Sequence, residues 1–110
     1  MSYQHSNLAA GGWAKLSFAE QMANIGSEVV RALKWKAKNN LDYSRQASVR
    51  SLELMDLTLD HTRGFPRLKE VARTREILAD YFFGSNEYRT TETFLQKYFL
   101  AFNAVARKNS

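Results

Sequence analysis

The sequence has no cysteine, and this absence excludes disulfide bonds, thiolate metal sites and cysteine nucleophiles. Proline occurs once, at Pro66, and glycine only five times, so few positions interrupt regular structure. No stretch alternates between polar and apolar residues for long enough to predict a strand. No apolar run is long enough for a transmembrane helix or a signal peptide, so we expect a cytoplasmic protein that does not enter a membrane.

The residue patterns of catalytic and metal sites are also missing. The two histidines, His5 and His61, belong to no metal-ligand spacing such as HExxH, and there is neither a phosphate-binding loop nor a Ser–His–Asp set. Glu53 and Asp56 lie three residues apart, but with no histidine in the pattern they are typical of a charged helix surface. Because an enzyme needs a positioned acid, base or nucleophile, we predict a non-enzymatic protein without metal or cofactor.

What the sequence does contain is four segments with helical periodicity. Ser17 and Glu20 make a capping-box pattern, which predicts the start of a first helix over residues 17–38. Gly26 falls on the apolar face of this helix, where it would let another helix approach closely. The polar turn KNNLD separates the first helix from a second one over residues 42–60.

The second half of the chain predicts two more helices. Pro66 suits the first position of a third helix that ends at residue 83, and Gly84 suits its C-terminal cap. Either Thr90 or Thr91 caps a fourth helix, which reaches residue 108.

The chain has 110 residues, which is the usual size of one domain. Short loops join antiparallel neighbours, so we predict a single all-α domain over residues 16–110, an up-down-up-down four-helix bundle. Residues 1–15 include consecutive alanines and glycines and predict a flexible N-terminal arm.

The fourth helix carries an apolar arc that is wider than one core-facing stripe needs. The arc covers about 160° of the helix and Leu100 points away from it; its members are Phe94, Leu95, Tyr98, Phe99, Phe102, Val105 and Ala106. Seven Phe, five Tyr and two Trp also make a heavy aromatic load for a small core. We therefore expect self-association, most simply as a two-fold dimer, in preference to a monomer whose lysine and arginine stems cover this surface.

A partner surface is also predicted on the polar face of the first helix, where a tryptophan lies among charged residues. An exposed tryptophan beside an arginine is typical of protein interfaces. The candidate partner surface comprises Asn24, Glu28, Arg31, Trp35 and, on the fourth helix, Leu100. Two alternatives are stacking of the tryptophan on a nucleic-acid base and a solvated face with a single exposed tryptophan.

Two arginines, Arg50 and Arg75, project into apolar helix faces. An arginine keeps its charge, so a buried one needs a carboxylate or carbonyl partner, and Glu53, Asp56 and Asp80 are the candidates. Arg50, Arg75 and Asp80 therefore predict either a cleft for an anion such as phosphate or a buried ion pair. We favour the ion pair because no glycine-rich loop accompanies the arginines.

The net charge of +5 has its densest cluster around the first turn, at Lys34, Lys36, Lys38 and Arg45. The charge as a whole is nevertheless divided between the two predicted ends of the bundle, which places nucleic acid behind a protein as the expected partner. A further alternative is a small-molecule site between helices, lined by Tyr43, Tyr81 and Tyr98.

The stretches SFAEQMANIGSEVVRALKWK, SLELMDLTLD and REILADYFFGSNEY resemble a family of short uncharacterised prokaryotic all-α proteins. That resemblance implies a helical fold and no activity. REILADYF also resembles the HEPN motif, an arginine followed four to six residues later by a histidine. Asp80 takes the place of that histidine, so the resemblance is to a catalytically degenerate HEPN-like protein in which Arg75 contacts an anion.

Two hypotheses about function follow from these patterns. The first is a non-enzymatic, self-associating helical bundle that serves as an interaction or adaptor module. The alternative is an RNA-binding or degenerate HEPN-like protein that uses Arg50, Arg75 and the basic turn.

Overall fold

Four helices make up most of the chain that the structure describes. The computed structural model describes residues 11–108, and its helices are α1 Phe18–Ala37, α2 Leu41–His61, α3 Phe65–Phe83 and α4 Glu92–Lys108. Within these residues there is no strand, and the predicted all-α four-helix bundle is confirmed. Every predicted helix end lies within two residues of the observed one.

Helix α1 begins and ends where local hydrogen bonds dictate. The Oγ of Ser17 accepts the Glu20 backbone N–H at 3.1 Å, and Oε1 of Glu20 accepts the Ser17 backbone N–H at 2.8 Å, which completes the predicted capping box. After α1, Asn39 takes the left-handed conformation with φ 61°. Asn40 then caps α2, because its side chain accepts the Tyr43 N–H at 3.1 Å. The turn between α1 and α2 is therefore short and well defined.

Helix α1 lies at the centre of the bundle, packed against α2 on one side and α4 on the other, while α2 also packs against α3. A Cβ built on Gly26 would lie 2.6 Å from the Cβ of Phe99 in α4, so a glycine is needed for this approach. The predicted close contact at Gly26 is thereby confirmed. The apolar core includes Met22, Ile25, Val29, Leu33, Leu54, Met55, Val71, Leu78, Leu95 and Phe99.

Helices α3 and α4 approach each other less closely than the other neighbouring pairs. The loop between them is fixed at its α3 end, where the carboxylate of Asp80 accepts the backbone N–H groups of Glu87 at 2.8 Å and Tyr88 at 3.0 Å. Gly84 ends α3 as predicted, and a Cβ there would lie 3.0 Å from the carbonyl oxygen of Asp80. The two helices are thus held at one end by their loop and leave a groove along their length.

Trp13 corrects the predicted boundary of the domain. It lies in a short 3-10 helix, Trp13–Lys15, and is fully buried. Its indole Nε1–H donates to Oγ1 of Thr58 in α2 at 2.9 Å, and its carbonyl accepts Nε2 of Gln21 in α1 at 2.9 Å. Residues 13–15 therefore belong to the folded domain and not to a flexible arm. Residues 1–10 of the predicted arm lie outside the described residues.

Candidate functional site

The first predicted arginine, Arg50, lies in a charged cluster between α1 and α2. Its Nε donates to Oε2 of Glu28 at 2.6 Å, and Nη1 of Arg31 donates to Oε1 of the same carboxylate at 2.8 Å. Glu28 is buried, so two arginines satisfy one carboxylate that water barely reaches. Glu28, which is not among the predicted candidates, is therefore a partner of Arg50, and this pairing links α1 to α2.

The second predicted arginine, Arg75, pairs with Asp56 across α2 and α3. Its Nε lies 2.6 Å from Oδ1 of Asp56 and its Nη2 lies 3.4 Å from Oδ2. The side chains are 37% and 42% exposed, so the pair is partly exposed, whereas a buried pair was predicted. Asp80 does not take part, because both of its oxygens accept backbone N–H groups of the following loop. The three predicted residues Arg50, Arg75 and Asp80 thus occupy three separate arrangements.

The predicted partner surface does not form one continuous face. Asn24 and Arg31 are exposed on α1, and the ring of Trp35 packs edge-on against Tyr43 of α2 with centroids 4.9 Å apart. Glu28 is buried in its ion pairs, which removes it from any contact surface. Leu100 lies on the side of α4 that meets α1, in a groove with Ser27, Val30, Gln96 and Asn103.

The exposed apolar side chains of α4 form a surface that the sequence only partly indicated. Leu100 is 59% exposed, as its position outside the arc predicted. Phe94 and Val105 belong to the predicted arc, yet they are 49% and 47% exposed. The arc is therefore wider than the core of one chain, which agrees with its width of about 160° in the sequence pattern.

Phe94 stands at the edge of a groove between α3 and α4. We call this the α3–α4 groove; its volume is about 200 Å³ and its lining is Glu70, Arg73, Thr74, Ile77, Phe94, Leu95 and Tyr98. The rings of Phe94 and Tyr98 are stacked, with centroids 6.1 Å apart. The groove is mostly apolar and borders the exposed side of α4.

The floor of the α3–α4 groove contains the polar link between the two helices. The hydroxyl of Tyr98 donates to Oε2 of Glu70 at 2.7 Å and lies 3.1 Å from Oγ1 of Thr74. Burial raises the pKa of Tyr98 well above its ordinary value, and the hydrogen bond to Glu70 adds to this, while the contact with Thr74 acts in the opposite direction. Tyr98 is therefore neutral throughout the physiological pH range.

The predicted basic turn lies beside aromatic rings. The Nζ of Lys36 is 4.6 Å from the ring centroid of Tyr81 and the Nζ of Lys38 is 5.3 Å from that of Trp35. Arg45 of α2 lies over Phe83 of α3 at 5.7 Å. Lys34, the fourth predicted residue, is exposed on α1. These distances are those of cation–π pairs.

We name this region the basic–aromatic end: Trp35, Lys36, Lys38, Tyr43, Arg45, Tyr81 and Phe83. Sequence spacing gave the cations, since they cluster around one turn, but not the rings of α3, which reach them only through the fold. The tyrosines predicted to line one small-molecule site are not brought together. Tyr43 and Tyr81 belong to the basic–aromatic end, whereas Tyr98 lines the α3–α4 groove.

Over residues 11–108, no group of three or more histidine, aspartate or glutamate side chains could hold a metal ion. None of the helices described is long and apolar enough to cross a membrane. Comparison with protein-family models, curated proteins and solved structures finds no match to this chain.

Proposed function

We propose that this chain is a non-enzymatic interaction module that acts as a two-fold dimer, in which a second copy covers the α3–α4 groove. The observation that carries the proposal is Phe94, a half-exposed aromatic ring at the edge of a mostly apolar groove. An aromatic residue buried in a pocket of a partner is the common anchor of protein interfaces.

The geometry favours a second copy as the occupant, because the ring and the groove are neighbours on one surface. In a two-fold dimer each copy presents the same patch, so the ring of one copy can enter the groove of the other, and the exchange happens twice. Ala101 and Val105 follow Phe94 on the exposed side of α4 at helical spacing and extend the apolar contact.

The opposite side of α4 is less suited to this role. The groove beside Leu100 is lined by the polar side chains of Ser27, Gln96 and Asn103. Burying unpaired amides and hydroxyls against a second copy would carry a free-energy cost, whereas Glu70, Thr74 and Tyr98 in the α3–α4 groove already bond to one another. The proposal therefore assigns the dimer contact to the Phe94 side and not to the Leu100 side.

The test is size-exclusion chromatography with light scattering. We expect the wild-type chain to elute with twice its mass of 12.7 kDa. Phe94→Glu should give a monomer. In the dimer, the glutamate of each copy would place a carboxylate in the apolar groove of the other copy, which carries a free-energy cost. Phe94 is the third residue of α4 and its N–H donates to Oγ1 of Thr91, so a glutamate there suits a capping box and preserves the helix.

Leu100→Glu is the matched control, since it places the same charge on the same helix at a side chain of similar exposure. It should remain a dimer. A wild-type monomer at every protein concentration would contradict the proposal. So would dissociation of the Leu100→Glu variant with Phe94→Glu still dimeric, because the contact would then lie on the other side of α4.

A further inference from the structure

The basic–aromatic end joins three helix ends into one surface. Lys36 of α1 lies over Tyr81 of α3, and Arg45 of α2 lies over Phe83 of α3. Trp35 of α1 packs against Tyr43 of α2. The short α1–α2 turn holds these residues in place, because Asn39 and Asn40 end one helix and cap the next.

Positive charge exceeds negative charge on this surface. Lys36, Lys38 and Arg45 lie over its rings and Lys34 is exposed nearby on α1. Two carboxylates offset them in part. Asp42 lines a cavity of about 310 Å³ together with Lys36, Arg45 and Phe83. Glu92 is the second carboxylate: burial raises the pKa of Tyr81, and the negative charge of Glu92 raises it further.

Aromatic surface is also available to a ligand here. Tyr43 and Phe83 are 49% and 45% exposed. Arg45 lies beside the ring of Phe83, and Trp35 lies beside the ring of Tyr43. A ligand with a planar group stacked on one of these rings and a negatively charged group attached to it would bring that charge close to a lysine or arginine.

We propose that the basic–aromatic end binds single-stranded nucleic acid, with its lysines and arginine on the phosphates and with bases stacked on Tyr43 and Phe83. Single strands offer both groups at once, a chain of phosphates and unpaired bases with open faces, and proteins bind them with this combination of cations and rings. A duplex hides its base faces and would use the cations alone.

The opposite end of the bundle is the internal comparison. It also has cation–ring pairs, Arg67 over Phe18 at 4.3 Å and Lys69 over Phe65 at 5.8 Å. The ring of Phe18, however, packs edge-on against Phe102, so it is engaged within the fold. Phe65 is 72% exposed, so that end offers one open ring beside its cations, whereas the basic–aromatic end offers two, Tyr43 and Phe83.

The experiment measures the fluorescence anisotropy of a labelled oligouridylate of about 15 nucleotides, titrated with the full chain at several salt concentrations. We expect binding whose logarithmic salt dependence has a slope of about −0.7 for each phosphate contacted. The double variant Lys36→Gln/Arg45→Gln should reduce that slope by about 1.4. Arg67→Gln/Lys69→Gln removes the same charge at the other end and should leave the slope unchanged.

A second pair of variants tests the stacking. Tyr43→Ala and Phe83→Ala keep every charge, and each should weaken oligouridylate binding about tenfold. Neither should change the binding of inorganic polyphosphate, which has the charges of a nucleic-acid backbone but no bases. Both side chains are half exposed, so the variants should keep their fold, and circular dichroism is the measurement that checks this.

Four outcomes would overturn the proposal. One is a wild-type chain that does not bind the oligonucleotide. Another is equal weakening by the two double variants, which would mean that only net charge matters. A third is alanine variants that bind the oligonucleotide as the wild type does. The fourth is equal or tighter binding to phosphatidylserine vesicles with the same dependence on Lys36 and Arg45, which would make this surface a membrane contact.

Discussion

Single charged side chains in this protein are held by partners that lie on other helices. Arg50 finds Glu28, which is 22 positions earlier, and Arg75 finds Asp56, which is 19 positions earlier. Neither distance corresponds to a neighbour on the same helix, so helical spacing alone does not reveal the pairs. Asp80 shows the opposite case, because its partners are backbone groups of the loop that follows it.

The hydrogen bonds of Asp80 with the loop and the ion pair of Arg75 with Asp56 should therefore contribute differently to stability. Asp80→Ala removes a carboxylate that holds two backbone N–H groups and should lower the free energy of unfolding by about 1–3 kcal/mol. Arg75→Met breaks a partly exposed ion pair and should lower it by at most about 1 kcal/mol. Urea denaturation of both variants measures the difference. A larger effect for Arg75→Met would mean that its pair, and not the Asp80 cap, holds α3 in place.

Helical elements were predictable from the sequence because their signals are local. Ser17 with Glu20, Asn40 and Pro66 mark helix starts through hydrogen bonds or ring geometry within one turn. The burial of Trp13 was not predictable in the same way, since its partner Thr58 is 45 positions away. A lone tryptophan in an otherwise small and polar segment was the only available signal.

Surfaces were predictable only in part, for a related reason. The width of the apolar arc on α4 indicated that part of it lies outside the core, but which members are exposed depends on how α4 is rotated against α1. That rotation follows from the close contact of Gly26 with Phe99. Exposure of Phe94 and Val105 is therefore a property of the packed helices and not of the arc itself.

The contact between α1 and α4 gives a prediction at the scale of these two elements. Gly26→Ala should lower the free energy of unfolding by about 1–3 kcal/mol, because the new Cβ would overlap Phe99 and push α4 outward. This loss outweighs the gain of about 1 kcal/mol that alanine brings to a helix interior. Thermal or urea unfolding measures it.

Ser27→Ala is the control for this prediction, because residue 27 is the next position of α1 and is exposed. Its effect should stay within about 0.5 kcal/mol. An unchanged or increased stability of Gly26→Ala would show that α4 moves away at no cost and that the contact does not set its position.

For the molecule as a whole, the boundary between α3 and α4 is where the bundle is least closely packed. Both helices contribute to the apolar core, and the hydrogen bonds of Tyr98 with Glu70 and Thr74 link them directly. The Tyr98 hydroxyl can donate to Glu70 only while the phenol is protonated. Alkaline pH should therefore weaken the link between α3 and α4.

Stability should accordingly fall at high pH in a way that depends on Tyr98. The pKa of Tyr98 is raised in the folded chain, so its contribution is fully present below the unfolded value of about 10 and is lost as pH rises towards the folded value. Tyr98→Phe should lower the free energy of unfolding by about 1 kcal/mol at neutral pH. The difference between the two proteins should shrink as pH rises above about 10.

Urea denaturation at a series of pH values makes this measurement, with both proteins at the same concentration so that dissociation of a dimer contributes equally. Lysines and the other tyrosines are common to both proteins and cancel in the comparison. A difference that stays constant or grows with pH would show that the Tyr98 hydroxyl does not hold α3 and α4 together.

The burial of Trp13 has a consequence for spectroscopy. The chain contains two tryptophans, and they lie in unlike surroundings: Trp13 is sealed in the core, while Trp35 is partly exposed beneath Lys38. Their emission therefore reports on two separate events. The Trp13 component follows unfolding of the core, and the Trp35 component, which an anionic quencher such as iodide can reach, follows occupation of the surface around it. The protein carries its own pair of optical probes, and no label has to be attached to tell the two events apart.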